Sequence, residues 1–143
     1  MIENLYPSYQ LADFSLGAIR EHSFSITQED VIQFARVSAD SHPLHVDTAF
    51  AQQRGYVGVL SHGMLVASRC SAFIARDFVG ANGLLVSLSS DFRHPVLCGD
   101  ELIWQGKVMH IIETASVIEI GWNIKNTRGV IVQLGTACSW LSK

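Results

Sequence analysis

The residues best suited to chemistry are three histidines, His42, His45 and His62, which lie close in the sequence to Asp40 and Asp47. Imidazole and carboxylate are the usual ligands of divalent metal ions, so His42-x-x-His45 with either aspartate could bind one. Alternatively, Asp40 and His45 could form a pair that moves a proton through a bound water. The same residue types also cap helices and satisfy loop backbone. Spacing alone leaves these three interpretations open.

A second feature with chemical potential is the run Ser61-His62-Gly63-Met64. A helix that begins here directs the unpaired N–H groups of its first turn, and the positive end of its dipole, toward a ligand in front of it. Gly63 allows close approach to the backbone, and the negative charge of a carbonyl becoming an enolate suits such a helix end. A simpler interpretation is that Gly58 and Gly63 only permit a turn and close packing.

A predicted helix precedes the histidine-rich segment. It begins at the Thr27-x-x-Asp30 pattern, a variant of the capping box, and ends near Ala39. Its apolar residues recur at helical spacing and are Val31, Phe34, Ala35 and Val37. Residues 40–47 are predicted to be a polar loop, and residues 48–53 a second short helix.

Residues 61–78 are predicted to form a long helix that is apolar on nearly every side. Charged side chains appear in it only at Arg69, Arg76 and Asp77. A helix of this composition is normally buried on nearly every side, so we expect it at the centre of the fold.

The rest of the chain is predicted to be strands, because Val, Ile, Leu and Trp are frequent and turn sequences separate the apolar runs. The predicted strands cover residues 19–26, 84–92, 101–110, 115–125 and 130–141. In the fourth of these, apolar residues alternate with polar ones, which is typical of a sheet with one face on the core. The alternating apolar residues are Ile118, Ile120, Trp122 and Ile124.

These elements predict an α+β domain in which an antiparallel sheet wraps one long central helix. Such a single layer leaves sheet edges exposed, and edges are commonly covered by a second copy of the chain. We therefore expect a symmetric homodimer.

The composition limits the class of protein. With 143 residues, of which 48% are hydrophobic, residues 1–143 suit one domain with a substantial core. The formal net charge is −3 and no basic run occurs, so nucleic acid is not an expected partner. The three cysteines, Cys70, Cys98 and Cys138, lack the spacing of a disulfide framework or a zinc knuckle.

The sequence also bears on location. Residues 1–10 lack the basic and apolar regions of an export signal, and no apolar run is long enough to span a membrane. We therefore expect a cytoplasmic protein with no membrane partner.

Four motifs in this order resemble those of the MaoC-like dehydratase family, the (R)-specific enoyl-CoA hydratases of the hotdog fold. They are residues 34–47 (FARVSADSHPLHVD), Phe50-Ala51, residues 61–65 (SHGML), and residues 92–96 (FRHPV) with Gly99-Asp100. The resemblance covers residues 15–141, and the order and spacing of four motifs make it more specific than any one of them. It implies a single hotdog domain, which agrees with the architecture expected above.

The resemblance also assigns roles to individual residues. Asp40 and His45 match the catalytic pair that holds and activates a water, and Gly63 matches the glycine whose N–H polarises the thioester carbonyl. Ser71 matches a serine that supports the catalytic pair, although a small packing residue would look the same. His42 stands where the family usually has Asn. It could replace the hydrogen bond of that amide, reshape the pocket for a particular acyl chain, or mark a site without normal hydratase turnover.

The activity that the resemblance implies is syn addition of water to a trans-2-enoyl thioester, or the reverse dehydration of a 3-hydroxyacyl thioester. The acyl group would be carried on coenzyme A or acyl carrier protein, as in fatty acid metabolism, and no metal or cofactor is implied. Two other functions stay open. One is a hotdog thioesterase, which would release a free thiol, and the other is a non-catalytic acyl-thioester-binding subunit that needs a partner chain.

Overall fold

An antiparallel sheet forms the main layer of the computed structural model, which describes residues 6–142. Its strands are β1 (Ile19–Ser25), β2 (Gly83–Leu88), β3 (Asp91–Phe92), β4 (Glu101–Ile112), β5 (Val117–Asn126) and β6 (Ile131–Leu141). Their order is β1-β4-β5-β6-β2, and the two-residue β3 also pairs with β6. β1 and β2 are therefore the edge strands.

The helices lie in the first half of the chain. They are α1 (Gln28–Ser38), α2 (Pro43–Val46), α3 (Thr48–Gln53) and α4 (Gly63–Ile74), and α4 continues as a π-helical segment, Ala75–Val79. Short 3₁₀ turns occur at Leu11–Asp13 and Glu113–Ala115. Within residues 6–142, no helix has the length and apolar character needed to cross a bilayer.

Helix α1 has the boundaries that its capping residues predict. Thr27 and Asp30 form a reciprocal capping box, in which the Asp30 N–H donates to the Thr27 hydroxyl at 3.1 Å and the Thr27 N–H donates to the Asp30 carboxylate at 2.9 Å. The hydrogen bond from the Thr27 backbone lowers the pKa of Asp30. The same carboxylate pairs with Arg69 of α4 at 3.2 Å, so the cap also joins α1 to the central helix.

The core lies between α4 and the inner face of the sheet. From α4 and its extension it receives six buried side chains, those of Leu65, Val66, Cys70, Ile74, Phe78 and Val79. From β5 it receives the four alternating residues predicted above, Ile118, Ile120, Trp122 and Ile124, all of them buried. The predicted α+β arrangement, a sheet packed on one long helix, is confirmed.

One side of α4 is exposed, contrary to the prediction that the helix is buried on nearly every side. Its exposed residues are Met64, Ser68, Ser71 and Ala72. The sheet covers only the opposite side of the helix, and the neighbouring edge strand β2 is itself exposed along most of its length. Helix α4 therefore carries more apolar surface than a single copy of the chain buries.

The strand predicted over residues 84–92 is in fact two strands, β2 and β3, separated at Ser89 and Ser90. Ser89 exchanges hydrogen bonds with Thr136 of β6, through its N–H at 2.8 Å and its hydroxyl at 2.9 Å. Gly135 permits this close approach, because a Cβ at that position would lie 1.9 Å from the Ser89 carbonyl oxygen. The interruption sets β3, and with it Phe92, beside the start of α4.

Candidate active site

Asp40 is placed by the turn that ends α1. Ala39 takes the left-handed conformation (φ 61°) and terminates the helix. The Ser38 hydroxyl accepts the N–H of Asp40 at 3.2 Å, and the Asp40 carboxylate accepts the N–H of His42 at 3.2 Å. These contacts fix the main chain on both sides of Asp40.

His42 is the N-cap of the four-residue helix α2. Its Nδ1 accepts the N–H of Leu44 at 3.2 Å, and Pro43 occupies the first helical position, where no N–H is needed. The predicted loop over residues 40–47 therefore contains a helical turn. An Asn side chain caps helices in the same way, so this geometry favours the first expectation for His42, replacement of an amide hydrogen bond.

His45 lies in α2 with its ring against the segment that contains Leu60. Its Nδ1 lies 2.7 Å from the Leu60 carbonyl oxygen, which can only accept, so Nδ1 carries the proton and Nε2 keeps a lone pair. The Leu60 N–H in turn donates to the Leu44 carbonyl at 2.9 Å. Burial lowers the pKa of His45, the hydrogen bond to Leu60 opposes this shift, and His62 adds to it. His45 is thus a neutral base near pH 7.

His62 connects the two candidate catalytic residues. It is 2% exposed, its ring stacks on that of His45 with the centroids 3.9 Å apart, and its Nε2–H donates to the Asp40 carbonyl at 2.9 Å. The sequence grouped His62 with the other histidines but could not reveal this contact. Asp40, His45 and His62 lie on three separate elements, and only the fold brings them together.

A side-chain oxygen of Asp40 and a ring nitrogen of each of His45 and His62 lie within 4.8 Å of one another. At this spacing, one water molecule can hydrogen-bond to the carboxylate and an imidazole at once. The set also has ligand types suited to a divalent cation. It differs from the metal set suggested by the sequence, because His62 takes the place of His42, and Asp47 caps α3 instead.

Gly63 begins α4 beside this group. Its N-cap residue, His62, makes no side-chain capping bond, so the N–H groups of the first turn are not used by a cap. On the other side of Gly63 lies the ring of Phe92: a Cβ at Gly63 would be 2.8 Å from Phe92 Cδ1. A side chain at this position would therefore displace the Phe92 ring, and the start of the helix presents backbone N–H groups where negative charge is stabilised.

These groups share a cavity of about 430 Å³, a volume typical of small-molecule sites. Its lining includes Asp40, His45, Gly63, Met64, Phe92 and Gln133. Ser71, which the resemblance assigns a supporting role, and His42, which replaces the usual Asn, lie elsewhere in the single chain. His42 lines a surface depression beside α3, and Ser71 lines a groove between the exposed side of α4 and β2.

Sequence reasoning missed two contributors to the cavity, Gln133 and His94. His94 follows β3, and its position in the FRHPV motif was the only available signal. Gln133 gave no signal, because a lone glutamine in a strand is ordinarily a solvent-facing residue. Both enter the cavity through the pairing of β3 with β6.

Comparison with known proteins gives consistent results. A family model described as "MaoC like domain" matches residues 17–123. The chain is 34% identical over 110 residues to a mitochondrial 3-hydroxyacyl-acyl-carrier-protein dehydratase of Arabidopsis thaliana, a match that covers 77% of this chain and 65% of the relative. It therefore spans just under two thirds of that relative. It is 31% identical over 108 residues to an (R)-specific enoyl-CoA hydratase of Aeromonas caviae, covering 76% of this chain and 81% of the relative.

The fold is similar to that of an R-hydratase from Pseudomonas aeruginosa, with a TM-score of 0.87 and 28% identity. The superposition covers 94% of this chain and 86% of the other. The hotdog fold expected from the sequence is thereby confirmed.

Proposed function

Because the chain belongs to the MaoC-like domain family, we propose that it is an (R)-specific enoyl-thioester hydratase, which also catalyses the reverse dehydration of 3-hydroxyacyl thioesters. The observation that carries this proposal is the placement of Asp40, His45 and the Gly63 N–H in one cavity, with the His45 tautomer set by Leu60. A water activator and a carbonyl-polarising group are the two devices that hydration requires. Relatives with named substrates act on coenzyme A or acyl-carrier-protein thioesters, and we propose the same substrate class.

The proposed hydration proceeds on a water held between the Asp40 carboxylate and Nε2 of His45. As the water oxygen bonds to C3 of the enoyl group, its proton passes to this pair, and the π electrons of the double bond move toward the thioester carbonyl. The Gly63 N–H and the start of α4 stabilise the negative charge that develops on the carbonyl oxygen. A proton from the same pair then reaches C2 on the same face, which completes syn addition. Dehydration reverses these steps.

We further propose that the active assembly is a homodimer joined through β2. Four apolar side chains of this edge strand, Leu84, Leu85, Val86 and Leu88, are exposed in the single chain, Leu84 to 64%. An exposed apolar edge of this kind promotes association. A two-fold axis beside β2 would pair it with its own copy, extend the sheet and cover the exposed side of α4.

The proposed dimer bears on the active site. Met64 and Phe92 line the cavity and yet are 61% and 52% exposed, so the cavity is open beside β3, which lies with β2 along the same edge of β6. A second copy seated there would close it and exclude water from the acyl chain. The groove that holds Ser71 lies on the same side, so a supporting role of Ser71 would be exerted in the dimer.

The test of activity is the loss of conjugated absorbance of crotonyl-CoA and of a longer trans-2-enoyl-CoA. We expect an (R)-3-hydroxyacyl product, and a loss of roughly a hundred- to ten-thousandfold in kcat for Asp40→Asn and His45→Ala. His110→Ala, at an exposed histidine of β4, is the matched control and should keep wild-type activity. Release of free thiol would indicate a thioesterase instead. Binding without turnover would indicate a non-catalytic subunit.

The test of the assembly is the molar mass in solution by light scattering. We expect twice the chain mass for the wild type and a monomer for Val86→Glu, which places a charge in the apolar edge. Val37→Glu is the control, because Val37 is 88% exposed on α1, far from β2, and should leave the dimer intact. A monomeric wild type would refute the dimer, and an unchanged Val86→Glu dimer would refute this interface.

A further inference from the structure

Gln133 is a buried amide at the catalytic cavity for which the reaction described above has no role. It lies in β6, is 2% exposed, and contributes to the cavity lining together with Asp40 and His45. Burial of an amide costs free energy unless the group is hydrogen-bonded, so an apolar residue is the ordinary occupant of such a position. The presence of glutamine therefore calls for a specific partner.

Gln133 faces inward because it pairs directly with the buried Ile124 of β5, and a β-bulge turns its neighbour Val132 to the same face. Along the β5–β6 ladder, Ile124 pairs with Gln133, but the next residue, Lys125, pairs with Ile131, so Val132 is an extra residue in β6. In a bulge, two successive side chains can point to the same face. Val132 and Gln133 are accordingly both buried, although they are neighbours in a strand. Without the bulge, strict alternation would place only one of the two in the core.

The partner of Gln133 is the glycine at the start of α4. Its Nε2 donates to the Gly63 carbonyl oxygen at 2.9 Å, and since a carbonyl oxygen can only accept, the orientation of the amide is settled. The other amide atom, Oε1, is buried and has no hydrogen-bond partner among residues 6–142. Within the described residues, the Gln133 side chain therefore forms one hydrogen bond, and its partner is Gly63.

Gly63 is held at two points by one pair of strand residues. Phe92 of β3 pairs directly with Gln133 of β6. The Phe92 ring packs against the Gly63 α-carbon, while the Gln133 amide binds the Gly63 carbonyl. Together they restrict the place of Gly63 and the rotation of the peptide that joins it to Met64. A displacement of about 1 Å in a reacting group can cost a hundredfold in rate, so this restriction has catalytic value.

We propose that Gln133 is a positioning residue for hydration: by holding the carbonyl of the Gly63–Met64 peptide, it fixes the backbone of Gly63 and thereby the direction in which the adjacent Gly63 N–H faces the thioester carbonyl oxygen. The inference rests on the proposed function. It assigns Gln133 no contact with the reacting atoms, so its loss should reduce polarisation of the bound carbonyl rather than remove the water activator.

The experiment compares Gln133→Met with the wild type. Met has similar length but no donor, and Gln105→Met is the matched control, because Gln105 of β4 bonds only to the exposed Glu21. With crotonyl-CoA, we expect kcat to fall roughly ten- to hundredfold in Gln133→Met, with KM changed by less than about threefold. Gln105→Met should match the wild type.

A spectroscopic measurement separates positioning from a general structural role. In an Asp40→Asn background, which blocks turnover, the infrared stretch of ¹³C-labelled crotonyl-CoA reports polarisation of its thioester carbonyl. Adding Gln133→Met should move this band back toward that of the free thioester. Gln133→Glu gives a second readout. Its activity relative to wild type should rise as the pH falls, because only a protonated carboxyl can donate to the Gly63 carbonyl.

An unshifted carbonyl band in the Gln133→Met background would overturn the proposal, even if kcat fell, because the residue would then be only structural. Unchanged kcat in Gln133→Met would overturn it as well. A wild type that does not hydrate any enoyl thioester would overturn the proposed function, and the role of Gln133 with it. That result is seen before any variant is compared, so the two failures are distinct.

Discussion

The ring of His62 stacks on the ring of His45, with the centroids 3.9 Å apart, and its Nε2–H donates to the main-chain carbonyl of Asp40. One buried ring thus sets the distance between the two groups that are proposed to share a water. It also begins α4, so that Gly63 is its direct neighbour in the chain. The proposed water activator and the proposed carbonyl-polarising helix end are therefore built on a common support.

The first prediction concerns the pH dependence of turnover. Burial lowers the pKa of His45 from its ordinary value of 6.5, so the ring stays neutral at pH 7 and gains a proton only at lower pH. Since Nε2 must accept a proton from water, the acid limb of kcat/KM should lie below pH 6.5. The pH–rate profile measures this directly. An acid limb above pH 6.5 that persists when each of the other histidines is replaced in turn would contradict the prediction.

The same shift affects stability. The unfolded chain binds a proton at His45 at higher pH than the folded chain does. The contribution of neutral His45 to the free energy of unfolding is therefore complete above pH 6.5 and declines as the pH falls through that value.

The second prediction separates the two contacts of His62. His62→Phe keeps an aromatic ring against His45 but loses the donor to Asp40, whereas His62→Gln keeps a donor and loses the ring. We expect both to lower kcat roughly tenfold or more, and His62→Phe to move the acid limb upward, because His62 contributes to the low pKa of His45. Wild-type kcat in both variants would show that His62 only fills space.

The third prediction tests His42 as a helix cap. His42→Asn keeps an acceptor for the Leu44 N–H and should retain activity within a few-fold, whereas His42→Ala loses the cap. Loss of an N-cap costs about 0.5–2 kcal/mol, and here it would loosen the helix that carries His45. The midpoint temperature of thermal unfolding and kcat should both fall in His42→Ala. If His42→Asn were as damaged as His42→Ala, a role in acyl specificity would explain the residue better.

Local patterns predicted much of this molecule. The Thr27–Asp30 capping box and the alternation in β5 depend on residues near one another in the chain, and the structure confirms both. In both cases the physical signal is contained in one short segment. Asp40, His45 and Gly63, which the resemblance assigned to the site from separate motifs, also line one cavity.

Other features depend on contacts between distant segments, and the sequence could not reveal them. The break between β2 and β3 results from the hydrogen bonding of Ser89 to Thr136, a close approach that the absence of a side chain at Gly135 permits. The burial of Val132 directly beside Gln133 results from a bulge whose register is visible only against β5. The exposed side of α4 was missed because composition reports how apolar a helix is, not how many neighbours one chain provides to cover it.

The fourth prediction concerns metal. The trio Asp40, His45 and His62 could in principle hold a divalent cation, but the proposed reaction uses the carboxylate and Nε2 on a water directly. Dialysis against a chelator should therefore leave kcat unchanged within error. Loss of activity that one divalent ion restores, with a stoichiometric metal by elemental analysis, would replace the acid–base mechanism with a metal-assisted one.

The last prediction is that Gly63→Ala lowers activity without unfolding the chain. A Cβ at this position would lie 2.8 Å from Phe92 Cδ1, so the ring must move. Phe92 is 52% exposed and can swing toward solvent, and alanine favours helix more than glycine does, so thermal stability should change little. Gly63 and Phe92 both line the cavity, however, so the added methyl group narrows it next to the backbone N–H that the thioester is proposed to reach. We expect kcat/KM to fall roughly a hundredfold or more, the scale of losing an oxyanion donor.

Gly58→Ala is the matched control for this substitution. A Cβ at Gly58 would meet no other part of the chain within 4 Å, and Gly58 lies in the segment that leads to α4, so the change should be neutral. Adding Phe92→Ala to Gly63→Ala relieves the contact between the two side chains but not the obstruction of the N–H. If the double variant regains activity, the defect lies in the displaced ring. If it stays inactive while Phe92→Ala alone is active, the N–H of Gly63 is the group that the substrate carbonyl needs.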